Sequence, residues 1–251
     1  MISKYDLKTI SSFKMKKYRD KHQKIFVEGL RVVEDALQSS YNCERLILTQ
    51  YFIERNSEVL RKEYFSNVPH HVVTEKDFFQ ISDTQSPQGI GLVIDVSKRN
   101  RRMSANGISI YLDNISDPGN AGTIIRTACW FGFRNIIFSN GSVDIYNPKL
   151  IRSASGAYFY SNLFIDDVDY NFLSDKKENQ IEIVGADLTG EDYEKFVFAK
   201  DAVLVVGNEG NGISETVKSF LSKRIVIPKK GFGESLNVSS AFAIIASKAS
   251  Q

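Results

Sequence analysis

The apolar residues in the first hundred positions alternate between short runs and spacings of three and four. Leu30, Val33 and Leu37 are spaced as one face of a helix, and Thr74 precedes a short helical segment as its N-cap. An amphipathic helix is predicted over residues 51–65. The predicted strands are short apolar runs, at 25–27, 46–48, 71–73 and 91–96. This alternation predicts an α/β domain over residues 1–97.

The same alternation restarts further along the chain. The run Val203–Val206 has no polar alternate positions, which is typical of a parallel sheet covered on both faces. The predicted strands are 108–112, 135–138, 158–164, 181–184, 202–206 and 224–227. A second α/β domain is therefore predicted over residues 107–251, after a linker over 98–106. Ser239 is predicted as the N-cap of the last helix.

Composition fits a globular protein and excludes several classes. The chain has 251 residues, of which 42% are hydrophobic and 25% are charged. Its two cysteines, Cys43 and Cys129, are too few for a disulfide scaffold, and no residue cluster suggests a metal site. No signal-peptide core or membrane-length apolar run is present, so we expect a cytoplasmic protein.

Charge is unevenly distributed, although the formal net charge is only +2. Residues 1–24 hold eight lysine or arginine residues against two aspartates, and a second basic cluster occupies 98–102. A solvated surface would account for either segment alone. Two basic segments favour a polyanionic partner, because lysine and arginine near phosphates release counterions.

The first loop that carries candidate functional groups follows the strand at 108–112. Asp117 and Pro118 read as an N-cap and the first helical residue, which places Gly119, Gly122 and Arg126 on one helical face. Helix packing with a surface arginine would also explain this pattern. Recognition of a phosphate or ribose is favoured, since arginine presents a rigid donor fork to oxyanions.

Two more glycine-bearing loops follow later strands. The loop 206–214 has P-loop-like glycine spacing, but Ile213 stands in the lysine position and the order fails the dinucleotide fingerprint. Glu209 suits a hydroxyl, a cation or an arginine, unless the loop is a plain tight turn. The loop 227–240 offers the polar groups of Ser235 and Asn237, with Lys229 and Lys230 at its mouth, and taken alone is a flexible loop.

Three ordered motifs in these loops resemble the SpoU/TrmH family of RNA 2′-O-ribose methyltransferases, within the SPOUT class. The motifs are Asn114-x-x-Asp117-Pro118-x-Asn120-x-Gly122-x-x-x-Arg126, Leu204-Val205-x-Gly207-x-Glu209-Gly210-x-Gly212-Ile213, and Ile227-Pro228 with Glu234-Ser235-Leu236-Asn237-Val238-Ser239. The segments Lys17-Tyr18-Arg19, Phe26-x-Glu28-Gly29 and Pro87-x-Gly89-Ile90 resemble that family's N-terminal substrate-binding domain, which is similar to a ribosomal-protein fold.

The resemblance implies an enzyme that depends on S-adenosylmethionine and whose C-terminal domain is an α/β knot, a trefoil-knotted parallel sheet that dimerises. It implies no metal. The residues it assigns to catalysis are Arg126, Asn120, Glu209, Ser235 and Asn237. Those it assigns to the cofactor are Gly207, Ile227, Leu236 and Asn237. Lys17, Arg19, Arg126 and Arg152 are expected to contact RNA.

The family proposals make the arginine the proton acceptor, but a guanidinium stays protonated in proteins and is a poor base. We therefore expect Arg126 to bind a phosphate and stabilise charge on the 2′-oxygen. Ribosomal RNA is the expected substrate. Three alternatives remain open: a tRNA 2′-O-methyltransferase, a non-catalytic RNA-binding protein that retains the fold, and a dinucleotide-dependent enzyme.

Overall fold

A computed structural model of the chain describes residues 2–97, 103–104 and 106–251. The described residues form two compact units. The first contains the residues up to 97 together with Tyr146–Phe159, and the second contains the described residues from 103 to Ile145 together with Tyr160–Gln251. The predicted basic cluster at 98–102 lies outside the described residues.

The first unit is built on a four-stranded mixed sheet. The strands are β1 (Lys24–Glu28), β2 (Asn42–Thr49), β3 (His70–Val73) and β4 (Ile90–Asp95). Their order in the sheet is β1-β4-β2-β3, in which β4 runs antiparallel to both neighbours and β3 runs parallel to β2. The helices are α1 (Lys4–Ser12), α2 (Lys16–His22), α3 (Leu30–Leu37), α4 (Gln50–Arg55), α5 (Ser57–Leu60), α6 (Glu63–Ser66) and α7 (Glu75–Ile81).

Alternating strand residues and two helices make the core of this unit. Leu7 and Ile10 from α1 pack with Phe78 and Ile81 from α7 over Ile47 of the central strand β2. Thr74 caps α7 as predicted, its side chain accepting the Asp77 N–H. The predicted single helix over 51–65 is wrong in detail, because the segment divides into three short helices with Asn56 and Lys62 between them.

The segment at 146–159 adds two further helices to the first unit, α9 (Pro148–Ala154) and α10 (Ala157–Tyr160). Helix α9 packs against β1. Asn147 caps α9 by accepting the Lys149 N–H at 2.9 Å, and Ser155 ends it in a left-handed conformation with φ 52°. The Phe159 ring lies edge-on to Tyr41, with 5.2 Å between ring centroids.

The second unit is built on a six-stranded, entirely parallel sheet in the order β10-β8-β9-β5-β6-β7. Strand β9 is buried at all five positions, as its apolar run predicts. The strands are β5 (Ser109–Leu112), β6 (Asn135–Phe138), β7 (Asn162–Ile165), β8 (Glu182–Asp192), β9 (Ala202–Val206) and β10 (Lys223–Val226). The helices are α8 (Pro118–Trp130), α11 (Asn171–Glu178), α12 (Glu215–Lys218) and α13 (Val238–Ala249).

Two predicted elements of the second half are corrected by the structure. The predicted strand at 158–164 begins as helix α10, and only Asn162–Ile165 pairs with β6. The last helix begins at Val238, and its N-cap is Asn237, whose side chain accepts the N–H groups of Ser239 and Ser240. The predicted α/β class with a parallel sheet is confirmed. The trefoil knot and the predicted domain limits stay predictions.

Glu28 joins β1 to the turn after α7 and gives a test of the first unit. It is 8% exposed and accepts three hydrogen bonds, from Ser82 Oγ at 2.5 Å, the Asp83 N–H at 2.8 Å and Thr84 Oγ1 at 3.2 Å. In Glu28→Gln one of these donors faces an amide NH₂ group, which cannot accept a hydrogen bond. We therefore expect the free energy of unfolding to fall by about 1–3 kcal/mol. Urea denaturation measures it.

The matched control is Glu75→Gln, on the exposed first turn of α7. It should change the unfolding free energy by no more than about 0.5 kcal/mol. Equal unfolding free energies for the two variants would show that the Glu28 network contributes no stability.

Candidate active site

The site of the second unit begins with a buried carboxylate at the end of β5. Asp113 has no exposed surface, and its Oδ2 accepts the Ser214 N–H at 2.6 Å. Its Oδ1 accepts Asn114 Nδ2 at 2.8 Å. Because Ser214 lies beyond the loop that follows β9, this one carboxylate ties together the loops after two neighbouring parallel strands.

The loop after β9 folds back on itself as a tight turn. Asn208 and Gly212 exchange backbone hydrogen bonds at 2.8 and 3.0 Å, and Asn208 Oδ1 accepts the Gly210 N–H at 2.9 Å. A Cβ at Gly207 would collide with the backbone of Gly212 and Ile213, so the turn requires glycine there. Asn208 Nδ2 donates to the Asn114 carbonyl at 2.7 Å and fixes this turn against the first loop.

Helix α8 places the first predicted catalytic side chain against this turn. Asp117 caps the helix as predicted, accepting the Asn120 N–H at 2.8 Å, with Pro118 in the first turn. Asn120 Nδ2 then donates to Glu209 Oε1 at 3.0 Å. The other carboxylate oxygen, Oε2, accepts Asn208 Nδ2 at 3.3 Å and Ser116 Oγ at 3.5 Å.

The third loop reaches the same point through Asn237. Asn237 Nδ2 donates to Asn120 Oδ1 at 3.1 Å, and α13, which Asn237 caps, packs against α8. Asn237, Asn120 and Glu209 therefore form one hydrogen-bonded row, which we call the amide row. The row joins the three loops that sequence analysis singled out.

The direction of the hydrogen bonds in the amide row is set by the helix cap. Asn237 Oδ1 accepts the N–H of Ser239 at 2.9 Å and its hydroxyl at 2.6 Å, so the Asn237 NH₂ group must face Asn120. Asn120 must then present its oxygen to Asn237 and its NH₂ group to Glu209. Glu209 ends the row as an acceptor, and its carboxylate is held in one orientation.

Two predicted catalytic residues lie outside the amide row. Arg126 is exposed on α8, and its side chain makes no hydrogen bond or ion pair with the part of the chain that the structure describes. Ser235 is exposed in the third loop and likewise has no side-chain hydrogen bond within the described residues. Both side chains are therefore available to a ligand.

The loop 227–237 offers the groups that a nucleoside-containing cofactor needs. The backbone N–H groups of residues 229–236 donate to no other group in the described ranges. Leu236 is 52% exposed and Ile227 is half-buried, so apolar surface lies at both ends of the loop. Free backbone donors beside apolar surface fit the adenosine part of S-adenosylmethionine, with Gly207 on the neighbouring turn.

Of the three predicted RNA contacts in the first unit, one is exposed and two bind other groups of the protein. Lys17 is exposed on α2. Arg19 is only 4% exposed, and its Nη1 donates to the carbonyls of Phe13 at 2.7 Å and Lys14 at 2.9 Å, which gives it a packing role between α1 and α2. Arg152 forms an ion pair with Asp83 at 2.9 Å and lies 3.9 Å from Glu28.

Other reactive groups do not form a second site. Burial raises the pKa of the Cys43 thiol to about 11 and also raises the pKa of Cys129, so neither has the character of a thiolate nucleophile. Among the described residues, no group of three or more metal-ligating side chains converges on a point. Within the same ranges, the helices are too short or too polar to span a membrane.

Asp113 and Asn208, which hold the loops together, were not among the predicted site residues. The signal for Asp113 was present, because an acidic residue directly after a wholly buried strand has to find hydrogen-bond donors. Asn208 carried no comparable signal, since an asparagine in a glycine-rich turn is ordinary turn chemistry.

The amide row predicts that Asn237→Asp damages the site without unfolding α13. Aspartate caps a helix as well as asparagine does. However, its side chain cannot donate to Asn120, and if the Asn120 amide turns over, its oxygen faces Glu209. We expect affinity for S-adenosylmethionine to fall by about tenfold, because a factor of ten corresponds to roughly the net free energy of one hydrogen bond. Calorimetric titration measures the affinity.

The control Asn237→Ala removes both the cap and the row. It should lower affinity similarly and also cost about 1 kcal/mol of unfolding free energy. Wild-type affinity in Asn237→Asp would contradict the importance of the row's direction.

Family models match the two halves of the chain. The SpoU rRNA Methylase family matches residues 107–247, which is more than half of the chain. The MRM3-like substrate binding domain matches residues 4–91. The predicted resemblance is confirmed in both halves.

Individual relatives agree with the family models over almost the whole chain. The 23S rRNA (guanosine(2553)-2′-O)-methyltransferase RlmP of Bacillus subtilis is 26% identical over 92% of this chain and 90% of its own. A TrmH-family structure from Porphyromonas gingivalis has a TM-score of 0.88 and 31% identity, covering 99% of this chain and 98% of that one. An AdoMet-bound rRNA methyltransferase structure from Sinorhizobium meliloti has a TM-score of 0.80 and 25% identity, covering 99% and 95%. The chain belongs to the SpoU rRNA methylase family.

Proposed function

We propose that this protein transfers a methyl group from S-adenosylmethionine to a ribose 2′-oxygen of ribosomal RNA. The observation that carries the proposal is the amide row, which joins the three family loops at one point in the second unit. The relatives are named as enzymes that act on 23S rRNA or as rRNA methyltransferases, and one neighbour has AdoMet bound.

The protein's main contribution to this reaction is alignment. When bound, S-adenosylmethionine supplies an activated methyl group on a sulfonium sulfur. Residues Gly207, Ile227 and Leu236 would hold it, and the free backbone donors of 229–236 would bind its nucleoside part. In-line displacement requires the 2′-oxygen to lie opposite the sulfur. A rigid site lowers the activation barrier because the reactants lose their orientational entropy on binding rather than in the chemical step.

Glu209 supplies a fixed acceptor in this scheme. Two amides and the Ser116 hydroxyl hold its carboxylate, which prevents it from turning away from the cleft. A carboxylate held in this way can accept a hydrogen bond from a ribose hydroxyl and place it for attack. Ser235, exposed in the third loop, offers a second hydroxyl for the same purpose.

Arg126 supplies positive charge. Its exposed guanidinium can bind a backbone phosphate bidentately and stabilise the negative charge that grows on the 2′-oxygen as the O–C bond forms, the methyl–sulfur bond breaks and the hydroxyl proton passes to the Glu209 carboxylate. In the first unit, Lys17 is the exposed member of the predicted RNA contacts. We infer that the first unit binds RNA, and we place the reaction in the cytoplasm.

The role of Arg126 predicts a large and specific loss of turnover. Arg126→Ala should lower kcat about 10²–10³-fold, the usual effect of removing one charge-stabilising donor, while affinity for S-adenosylmethionine stays unchanged. Arg126→Lys should recover little, because lysine lacks the guanidinium fork. The assay is transfer of labelled methyl groups to rRNA isolated from cells that lack the gene.

Mapping of 2′-O-methyl positions in total RNA, with and without the gene, decides the substrate. Loss of one rRNA methylation supports the proposal, and loss of a tRNA methylation would replace it with the tRNA alternative. Binding of RNA without any methyl transfer would instead identify a non-catalytic protein.

We also infer a homodimer formed through the second unit. Trp130, at the end of α8, is 85% exposed, and a contact with a second copy would bury it. Sedimentation equilibrium should give about twice the chain mass, and Trp130→Glu should shift the protein towards monomer. A wild-type monomer at micromolar concentration would contradict the inference.

A further inference from the structure

The third loop carries a phenylalanine that packs against nothing in its own unit. Phe232 has a relative exposure of 108%, the highest of the large apolar side chains among the described residues. A single exposed apolar side chain is ordinary on a protein surface, so the groups beside Phe232 decide whether the ring marks a binding site.

The loop's own geometry holds this ring at its tip. Lys229 Nζ donates to the Gly233 carbonyl at 2.9 Å and closes the five-residue bend that contains Phe232. Gly233 has φ +128°, which other residues rarely adopt, and a Cβ at Gly231 or Gly233 would meet no atom within 4 Å. The space around the bend is therefore open on both sides of the ring.

The bend is attached directly to the site. The loop starts where β10 ends, at Val226, and finishes at Asn237, the first member of the amide row. Phe232 is thus five residues before a side chain fixed to Asn120. The tip of the bend therefore lies at most roughly 18 Å from Asn237, even if the five intervening residues were fully extended.

Charge in the bend favours a nucleic acid as the partner. Lys230 is exposed and makes no ion pair within the described residues, and Lys229 adds a second positive charge against the single carboxylate of Glu234. An exposed aromatic ring beside unpaired lysine is the combination that binds single-stranded nucleic acid, in which bases stack on the ring and phosphates meet the cation.

We propose that Phe232 stacks on a nucleobase of the RNA substrate and that Lys230 contacts a neighbouring phosphate. This inference rests on the proposed function for its substrate, and it adds a contact outside the family motifs. Stacking would hold the strand beside the cleft and present the target ribose to the amide row.

The test uses the full-length protein and an unstructured twelve-nucleotide oligouridylate. Phe232→Ala should weaken binding by about tenfold, since a base stacked on an aromatic ring contributes roughly that factor. Lys230→Gln should reduce the slope of log affinity against log salt by about one. Val197→Ala is the control, because Val197 is 84% exposed on a different segment of the second unit and should have no effect on oligouridylate affinity.

Fluorescence gives an independent readout of stacking. Trp130 is the only tryptophan of the natural sequence, so the wild-type protein supplies the baseline. In Phe232→Trp, the added emission should be quenched when oligouridylate binds, and affinity should be retained. An unquenched added signal, or unchanged oligouridylate affinity in Phe232→Ala, would overturn the proposal.

Two further measurements separate this proposal from its alternatives and from the proposed function. Phe232→Ala keeps the backbone N–H groups of 229–236, so its affinity for S-adenosylmethionine should change less than its affinity for oligouridylate, and the sedimentation mass should stay at the wild-type value. Loss of either, with oligouridylate affinity intact, would assign the ring to the cofactor or to a second copy instead. If the wild type bound no S-adenosylmethionine yet showed the stacking effects, the proposed function would fail while this contact stood.

Discussion

The candidate site depends on the direction of one hydrogen bond. Asn237 uses its side-chain oxygen to cap α13, so its NH₂ group is the only part left to face Asn120. That choice fixes the Asn120 amide, which in turn fixes the Glu209 carboxylate. The helix cap therefore determines the orientation of the Glu209 carboxylate through hydrogen bonds that connect three loops. The side chains that transmit this constraint, Asn237 and Asn120, are neutral amides.

Below the amide row, a second layer keeps the loops together. Buried Asp113 and the turn residue Asn208 bind backbone groups, so they hold the loops without occupying the cleft. Of the predicted catalytic side chains, Arg126 and Ser235 have no partner in the described part of the chain, so a substrate can reach them. The backbone of the site is therefore held rigidly, while the side chains of Arg126 and Ser235 remain free to bind a substrate.

The sequence predicted much of this arrangement, and its failures have local causes. The limits of β6 and β9 agree with their apolar runs, and Asp117 caps α8 as expected. Ser239 was a reasonable cap by residue type, but Asn237 accepts the N–H groups of Ser239 and Ser240, so the helix starts at Val238 and Ser239 lies inside its first turn. The motif around Arg19 resembled an RNA contact, yet the carbonyls that Arg19 binds become neighbours only when α1 and α2 fold.

The route of the chain between β6 and β7 has an architectural consequence. The backbone leaves the second unit at Ile145, adds α9 to the first unit beside β1, and returns at Tyr160 to the adjacent parallel strand. The first unit is therefore not a contiguous module. A gene fragment that ended at its last strand would lack the helix that packs against β1, so a cut at the linker would remove part of the first unit's own packing.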